Sequence, residues 1–308
     1  MKHGLSRMIK AWLSFRMPTL GGYRYTIENP VALVLKKKGT IKLSDGYMIE
    51  YNERNKQDII VLVGLALRNG IRFGNHEIQW RLDQAKGILE THQGIKFYIK
   101  SVTLLDETFL SQTHFAGFDL KGKIVVTAGA YIGDTPLFYA YYGAKVFGFE
   151  PNPNYYALAL ANIKLNPELS ERITLKNYAI GKDEEALFSL NNNILSSLYN
   201  PDTENKRSIK VRSVSISTIL RDFDISDPYL LDLDIKGSEF DVVEDTSIAL
   251  FQRVRIEYSP YLLNSPGKSL EYLISRLREY GFSKIRIYKH NDRDRFDLLD
   301  HGTLEAER

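Results

Sequence analysis

Two stretches of this 308-residue chain gather residues whose types and spacing can do chemistry. In the first, an apolar run, IVVTAG, breaks into the turn Ala130-Tyr131-Ile132-Gly133, and a second run, KVFGFE, ends on Glu150. A glycine turn after a strand lets backbone approach a ligand, and an acid ending the next strand can accept both hydroxyls of a ribose. Gly129 and Gly133 lie four apart, and Glu150 follows Gly133 by 17 residues, close to the roughly 20 expected of such a crossover. The turn lacks the three-glycine pattern that lets a helix N-terminus close on a pyrophosphate, so a nucleoside-bearing cofactor without phosphate is favoured. The second stretch is Asp232-Leu233-Asp234-Ile235-Lys236-Gly237-Ser238-Glu239, a dense set of ionisable groups. By strand alternation Asp232, Asp234 and Lys236 share one face, where the lysine can keep the carboxylates ionised or orient a hydroxyl.

These residues need elements to hold them. Apolar runs predict strands at 124–129, 145–150, 173–180, 229–235, 253–259, 283–288 and 295–300, with helices at 135–142, 153–166 and 268–280. Alternation of this kind implies a mostly parallel sheet covered on both faces, with ligands meeting the carboxyl ends of its strands. Asp134 and Thr135 open the first helix, where Thr135 serves equally well as an N-terminal cap. Glu150, ending a buried strand, needs a polar partner, and paired ribose hydroxyls provide one.

The length exceeds one typical domain of about 100 to 200 residues, and predicts an α+β N-terminal extension over 1–108 before a catalytic domain over 109–308. Without cysteine the chain has neither disulfides nor thiolate metal sites. No apolar run approaches the roughly 20 residues that span a bilayer, and the N-terminus lacks a signal peptide's apolar centre, so a cytoplasmic location is expected. The net charge of +3 is uneven: Met1 to Leu43 holds nine Lys or Arg and one acid, Glu28. Within it, Leu5, Met8, Ile9, Trp12 and Leu13 recur at helical spacing among basic residues, a basic amphipathic helix over residues 1–17. It can lie on an anionic membrane surface, pack on its own domain or a second subunit, or, with Lys36-Lys37-Lys38, track nucleic-acid phosphates. Further on, GTIKLSDGYMIEY predicts a β-hairpin turning at Asp45-Gly46, Asp58 to Leu67 a buried helix or strand, IRFGN, EIQW and IKFYIKSV short strands, and Leu82 to Glu90 a helix. His3, His76, His92 and His114 lack metal-ligand spacing.

The residues GAYIGDT, FEPNPNYYALALANIKLN, Asn177-Tyr178-Ala179-Ile180-Gly181, Ser196-Ser197 and LLDLDIKGSEFDVV, in that order, resemble the successive motifs of the FkbM family of S-adenosylmethionine-dependent methyltransferases, over roughly Phe109 to Tyr288. The resemblance implies a Rossmann-like class I methyltransferase fold, an α/β architecture with a mostly parallel seven-stranded sheet. It also implies S-adenosyl-L-methionine at the carboxyl ends of the first strands. The donor would meet Thr127, the turn from Gly129 through Ala130, Tyr131, Ile132 and Gly133 to Asp134 and Thr135, and then Glu150, Pro151 and Asn152. Asn177, Tyr178 and Ala179 fall where family members line the adenine, although Asn177 also suits an Asx turn. Asp232 belongs to the same donor set. In two places the chain departs from the family, which normally has an acid where this chain has Thr127 and another where it has Lys236.

The resemblance usually implies an O-methylated product, often on a sugar. Methyl transfer is an in-line displacement at a sulfonium, so alignment matters most, with a base needed only for the hydroxyl proton. Asp234 is the expected base or hydroxyl orienter, with Lys236, Glu239 and Glu257 beside it. A second arrangement, faintly like catechol-type O-methyltransferases, has Asp232, Asp234 and Glu257 bind Mg²⁺; it is not favoured, because the lysine spacing differs. The chain contains no NPPY-type tetrapeptide of the kind that holds a planar nitrogen, which favours a glycan or small-molecule hydroxyl over a base amine. RNA methylation is the competing class, since basic and tyrosine-rich segments can supply phosphate contacts and stacking. A non-catalytic binding protein is the third, if Thr127 and Lys236 abolish donor binding.

Overall fold

The computed structural model describes residues 35–42, 48–56, 59, 80–99, 105–109, 119–190, 207–235, 237–258, 268–289 and 302–308. The chain divides into two compact units, residues 1–112 and 113–308.

In the first unit the expected hairpin is present. Strand β1 (Gly39–Lys42) pairs antiparallel with β2 (Met48–Tyr51), and Ile41, Ile49 and Tyr51 are buried. The Asp45-Gly46 turn lies outside the described residues, as do residues 1–17, the run 58–67 apart from Ile59, and IRFGN. The helix expected from Leu82 to Glu90 is instead a second hairpin, β3 (Arg81–Asp83) against β4 (Ile88–Glu90), with β5 (Lys96–Tyr98) added beyond it. Turn chemistry overrides helix propensity here. The Lys86 amide donates to Asp83 Oδ1 at 3.0 Å, Gly87 takes a φ of +65°, and Leu82 and Leu89 pair across the strands on the buried side. Gln84 ties the two hairpins, donating to the Met48 carbonyl at 2.7 Å and accepting from the Glu50 amide at 2.8 Å. Helix α1 (Leu105–Phe109) sets Phe109 edge-on to Phe97, 5.6 Å between ring centres.

The second unit holds a seven-stranded sheet: β6 (Ile124–Ala128), β7 (Lys145–Phe149), β8 (Ile173–Lys176), β12 (Leu230–Leu233), β13 (Arg253–Tyr258), β14 (Lys284–Lys289) and β15 (Gly302–Glu307). Their spatial order is β14-β15-β13-β12-β6-β7-β8. Every pairing from β8 to β13 is parallel, and β15 runs antiparallel between β13 and β14. This is the mostly parallel Rossmann-like sheet the sequence predicts, with one correction. The seventh strand is Gly302–Glu307; the strand expected at 295–300 lies outside the described residues.

The helices between the strands are set by local signals. Helix α2 (Asp134–Tyr141) starts beyond Gly133, and α3 (Pro153–Lys164) starts with proline at its first position and Asn152 Oδ1 accepting from the Asn154 amide at 3.0 Å. After a short α4 (Pro167–Ser170) and β8, a two-residue strand β9 (Ala179–Ile180) joins β10 (Glu184–Leu190) and β11 (Arg207–Val214) in a small sheet, which was not anticipated. Helix α5 (Ile216–Asp222) is capped by Ser215, α6 (Glu239–Val242) follows β12, and α7 (Leu270–Glu279) buries Leu270, Leu273 and Leu277 against the sheet. Among the described residues, no helix is long and apolar enough to cross a membrane.

Candidate functional site

The site is built where β6, β7 and β12 end. Beyond Ala128 the chain turns through Gly129, Tyr131 and Gly133 with φ of +83°, +44° and +85°. Gly129 is obligatory: a Cβ there would stand 2.1 Å from the carbonyl oxygen of Asp234. The Gly129 and Ala130 amides both donate to the Phe149 carbonyl at 2.9 Å, and the Asp234 amide donates to the Ala128 carbonyl at 3.1 Å. The turn is thus stitched to the ends of β7 and β12. Asn162, fully buried on α3, donates to the Ile132 carbonyl at 2.9 Å, and the ring of Tyr155 meets that of Tyr131 edge-on at 4.5 Å.

Glu150, one residue past β7, is turned into this loop. Its Oε2 accepts from the Tyr131 amide and its Oε1 from the Asn152 amide, both at 2.8 Å, which leaves each oxygen a free lone-pair direction. Burial pushes its carboxyl up to about 8, the two amides oppose that rise, and the nearby charges of Asp234 and Asp134 add to it. A buried acid raised in this way gains most from a ligand that donates to it or brings positive charge close. Asp134 and Thr135 are nearly buried in the first turn of α2. Glycine turn and acid together fit a nucleoside: backbone with no side chain to obstruct it, beside a carboxylate oriented to accept paired hydroxyls.

Asn177 donates to the carbonyls of Glu150 at 2.7 Å and Pro151 at 3.0 Å. It braces the acid's own backbone from 26 and 27 residues further along the chain, a long-range contact rather than an Asx turn. The guanidinium of Arg212 lies 4.7 Å from the centre of the Tyr178 ring and donates to its hydroxyl at 3.3 Å. Ala179 is buried as the first residue of β9.

Asp234 follows β12 directly and is close enough to Glu150 for its charge to be felt there. The face inferred from alternation for Asp232, Asp234 and Lys236 is cut short, and Asp232 is paired with Thr127 instead. Strand β12 ends at Leu233, so Asp234 has already left the alternation. Asp232 is 1% exposed and points beneath the strand ends, where Oδ1 accepts from Arg255 Nη1 at 2.5 Å and Oδ2 accepts from the hydroxyls of Tyr139 at 2.9 Å and Thr127 at 3.3 Å. Burial raises the Asp232 carboxyl while Arg255 opposes the rise, and burial with the Asp232 charge holds Tyr139 well above its usual range. These partners leave Asp232 poorly placed to serve Mg²⁺, and among the described residues no cluster of His, Asp or Glu has metal-holding geometry. Glu239 is fully buried and accepts from the Gly237 amide in its own loop. Glu257 is 8% exposed on β13, opposite Thr303. Lys236 lies outside the described residues. Sequence reasoning missed Tyr139, Asn162, Tyr155 and Arg255, the last in register with Asp232 on the adjacent strand.

The family model described as the methyltransferase FkbM domain matches residues 128–284. No curated protein matches the sequence. Solved structures that resemble it include the precorrin-6y C5,15-methyltransferase from Geobacter metallireducens GS-15, at 11% identity over 68% of this chain and 88% of that one, with a TM-score of 0.35. Magnesium protoporphyrin IX methyltransferase from Synechocystis PCC 6803, with bound SAM, matches at 14% identity over 62% and 72%, with a TM-score of 0.37. TYW2 from M. jannaschii, in complex with AdoMet, matches at 15% over 76% and 89%, with a TM-score of 0.42. All three superpose loosely, so the assignment rests on the family match and on this chain's own residues.

Proposed function

The chain belongs to the FkbM methyltransferase family, and from that premise we propose that it transfers a methyl group from S-adenosylmethionine to a hydroxyl oxygen, with a sugar on a glycan, glycolipid or natural product as acceptor. The observation that carries this is the pairing of Gly129, whose Cα faces backbone with no room for a side chain, with Glu150, buried and aimed by two amides. When bound, S-adenosylmethionine supplies an electrophilic methyl on a sulfonium. The chain's residues do the rest. Glu150 accepts the ribose hydroxyls, Asn177 fixes the backbone beneath it, and the charges of Asp134 and Asp234 beside it make a field that suits a cationic donor. Asp234 orients the acceptor hydroxyl and takes its proton, while the turn and strand ends hold the two reactants in line. Glu239 and Glu257 support this end of the sheet, and the basic segment 1–17 supplies a contact for an anionic membrane surface, which suits a lipid-linked acceptor.

The test is calorimetric titration with S-adenosylmethionine and S-adenosylhomocysteine, with and without Mg²⁺, for the wild type and Glu150→Ala. Micromolar binding in the wild type, lost in the variant and indifferent to Mg²⁺, is expected. Near-native affinity in Glu150→Ala would remove this acid from the donor site. Among acceptors, a steep loss of binding with added salt would favour RNA over a neutral glycan.

A further inference from the structure

Asp232 stands in register with Thr127 on β6 and with Arg255 on β13, and Tyr139 reaches it from α2. Four elements therefore meet at one buried carboxylate. Each leads within a few residues to a group of the site: β6 to Gly129, α2 back to Asp134, β12 to Asp234, and β13 to Glu257. We propose that Tyr139 and Arg255 are positioning residues, acting through the Asp232 carboxylate to fix where the Gly129 turn and Asp234 stand relative to one another. This rests on reading that site as the donor pocket.

The physical reason is the tightness of the joint above the carboxylate. Gly129 has no space for even one carbon beside the Asp234 carbonyl, and the Asp234 amide is bonded to Ala128. A slip of β12 against β6 therefore displaces Asp234 relative to the turn and strains both contacts. A buried carboxylate with three donors resists such a slip directionally, which apolar packing does not. The same contacts account for Thr127. The family resemblance implies an acid at this place, but here a second carboxylate would face Asp232 across the distance the threonine hydroxyl now bridges, with Arg255 beside only one of them. A hydroxyl, which donates, is the group that fits.

Tyr139→Phe removes one donor and keeps the ring, and Tyr141→Phe, on a half-exposed tyrosine of the same helix, is the control. Amide hydrogen exchange at Gly129, Ala130 and Asp234 should quicken about tenfold in Tyr139→Phe, as expected for loss of one charge-assisted bond. Val254 and Ile256 in the same sheet should keep their protection, and S-adenosylmethionine should bind about tenfold more weakly. Tyr141→Phe should change neither. Exchange that rises evenly over the whole sheet, or not at all, would overturn the positioning role and leave Tyr139 a packing residue. Thr127→Asp, which brings the chain closer to the family pattern, should weaken donor binding; tighter binding would also overturn the proposal. Local exchange changes in a protein whose wild type binds no S-adenosylmethionine would keep the positioning role and sink the donor assignment instead.

Discussion

Two neighbouring rows of the central sheet are buried alike yet hold it together by opposite means. One crosses the strands as Phe147, Val126, Leu231, Val254 and Ala306, each at most 3% exposed. The next row, one residue further along every parallel strand, reads Gly148, Thr127, Asp232, Arg255 and Glu305, and beyond its buried part meets the exposed Arg286 on β14. The first row faces the apolar core with α5 and α7, and the second faces the side where Tyr139 of α2 reaches in. Apolar packing is non-directional and accepts substitutions that conserve volume. A buried ion pair is stable only while each member keeps its partner, because either charge left alone carries its full desolvation cost. The row that demands geometry is the one lying directly beneath the glycine turn and Asp234. Stability comes mainly from the first row, and placement from the second.

The largest effect that would sharpen this contrast is Arg255→Met. It leaves Asp232 buried without its guanidinium and should cost about 3–5 kcal/mol in urea unfolding. Replacing both residues, Asp232→Leu with Arg255→Met, should recover most of the stability and none of the donor affinity. If the double variant binds S-adenosylmethionine as the wild type does, the second row is only a core that happens to be charged.

Next in size is a pH effect at Glu150, which is held by amides rather than by an arginine. Its carboxyl lies near 8 when folded against an ordinary value of 4.5, so the native state keeps a proton that the unfolded state loses. Its contribution to stability is therefore fully present below about 4.5 and is lost as pH rises to about 8, on the order of a few kcal/mol in all. The ligand-free wild type should lose stability over that window relative to Glu150→Gln, as read by urea midpoints at pH 5 and pH 8. Parallel curves would mean that the carboxylate is better solvated than its burial implies. The smallest effect belongs to the apolar row: Leu231→Met should cost less than about 1.5 kcal/mol and leave donor binding untouched. A larger loss of affinity there would erase the distinction between the rows.

The first row was legible in the sequence and the second was not. Apolar runs mark β6, β7 and β12, and the alternation RVRIEY marks β13, so these strands fall within two residues of their expected limits. The pattern failed where burial is polar. In Gly302–Glu307 only Leu304 and Ala306 join the apolar side, while Glu305 sits among arginines, so the strand reads as a charged tail. The glycine turn and Glu150 were legible because their chemistry is local, carried by spacing along the chain. The partners of Asp232 could not be read, because they lie 105, 93 and 23 residues away. Register between strands, which brings them together, leaves no trace in one-dimensional spacing.

The antiparallel strand β15 also dictates when the sheet can be finished. Although it comes after β14 in the chain, it lies between β13 and β14, and β14 touches the sheet only through it. As the polypeptide leaves the ribosome, β13 must wait with an open edge until residues 302–307 arrive, and β14 cannot dock before them. The nascent protein therefore passes through an interval with a bare strand edge and an exposed Arg255 side, a state prone to pairing with other chains. A product cut short at residue 301 would lose not one strand but two.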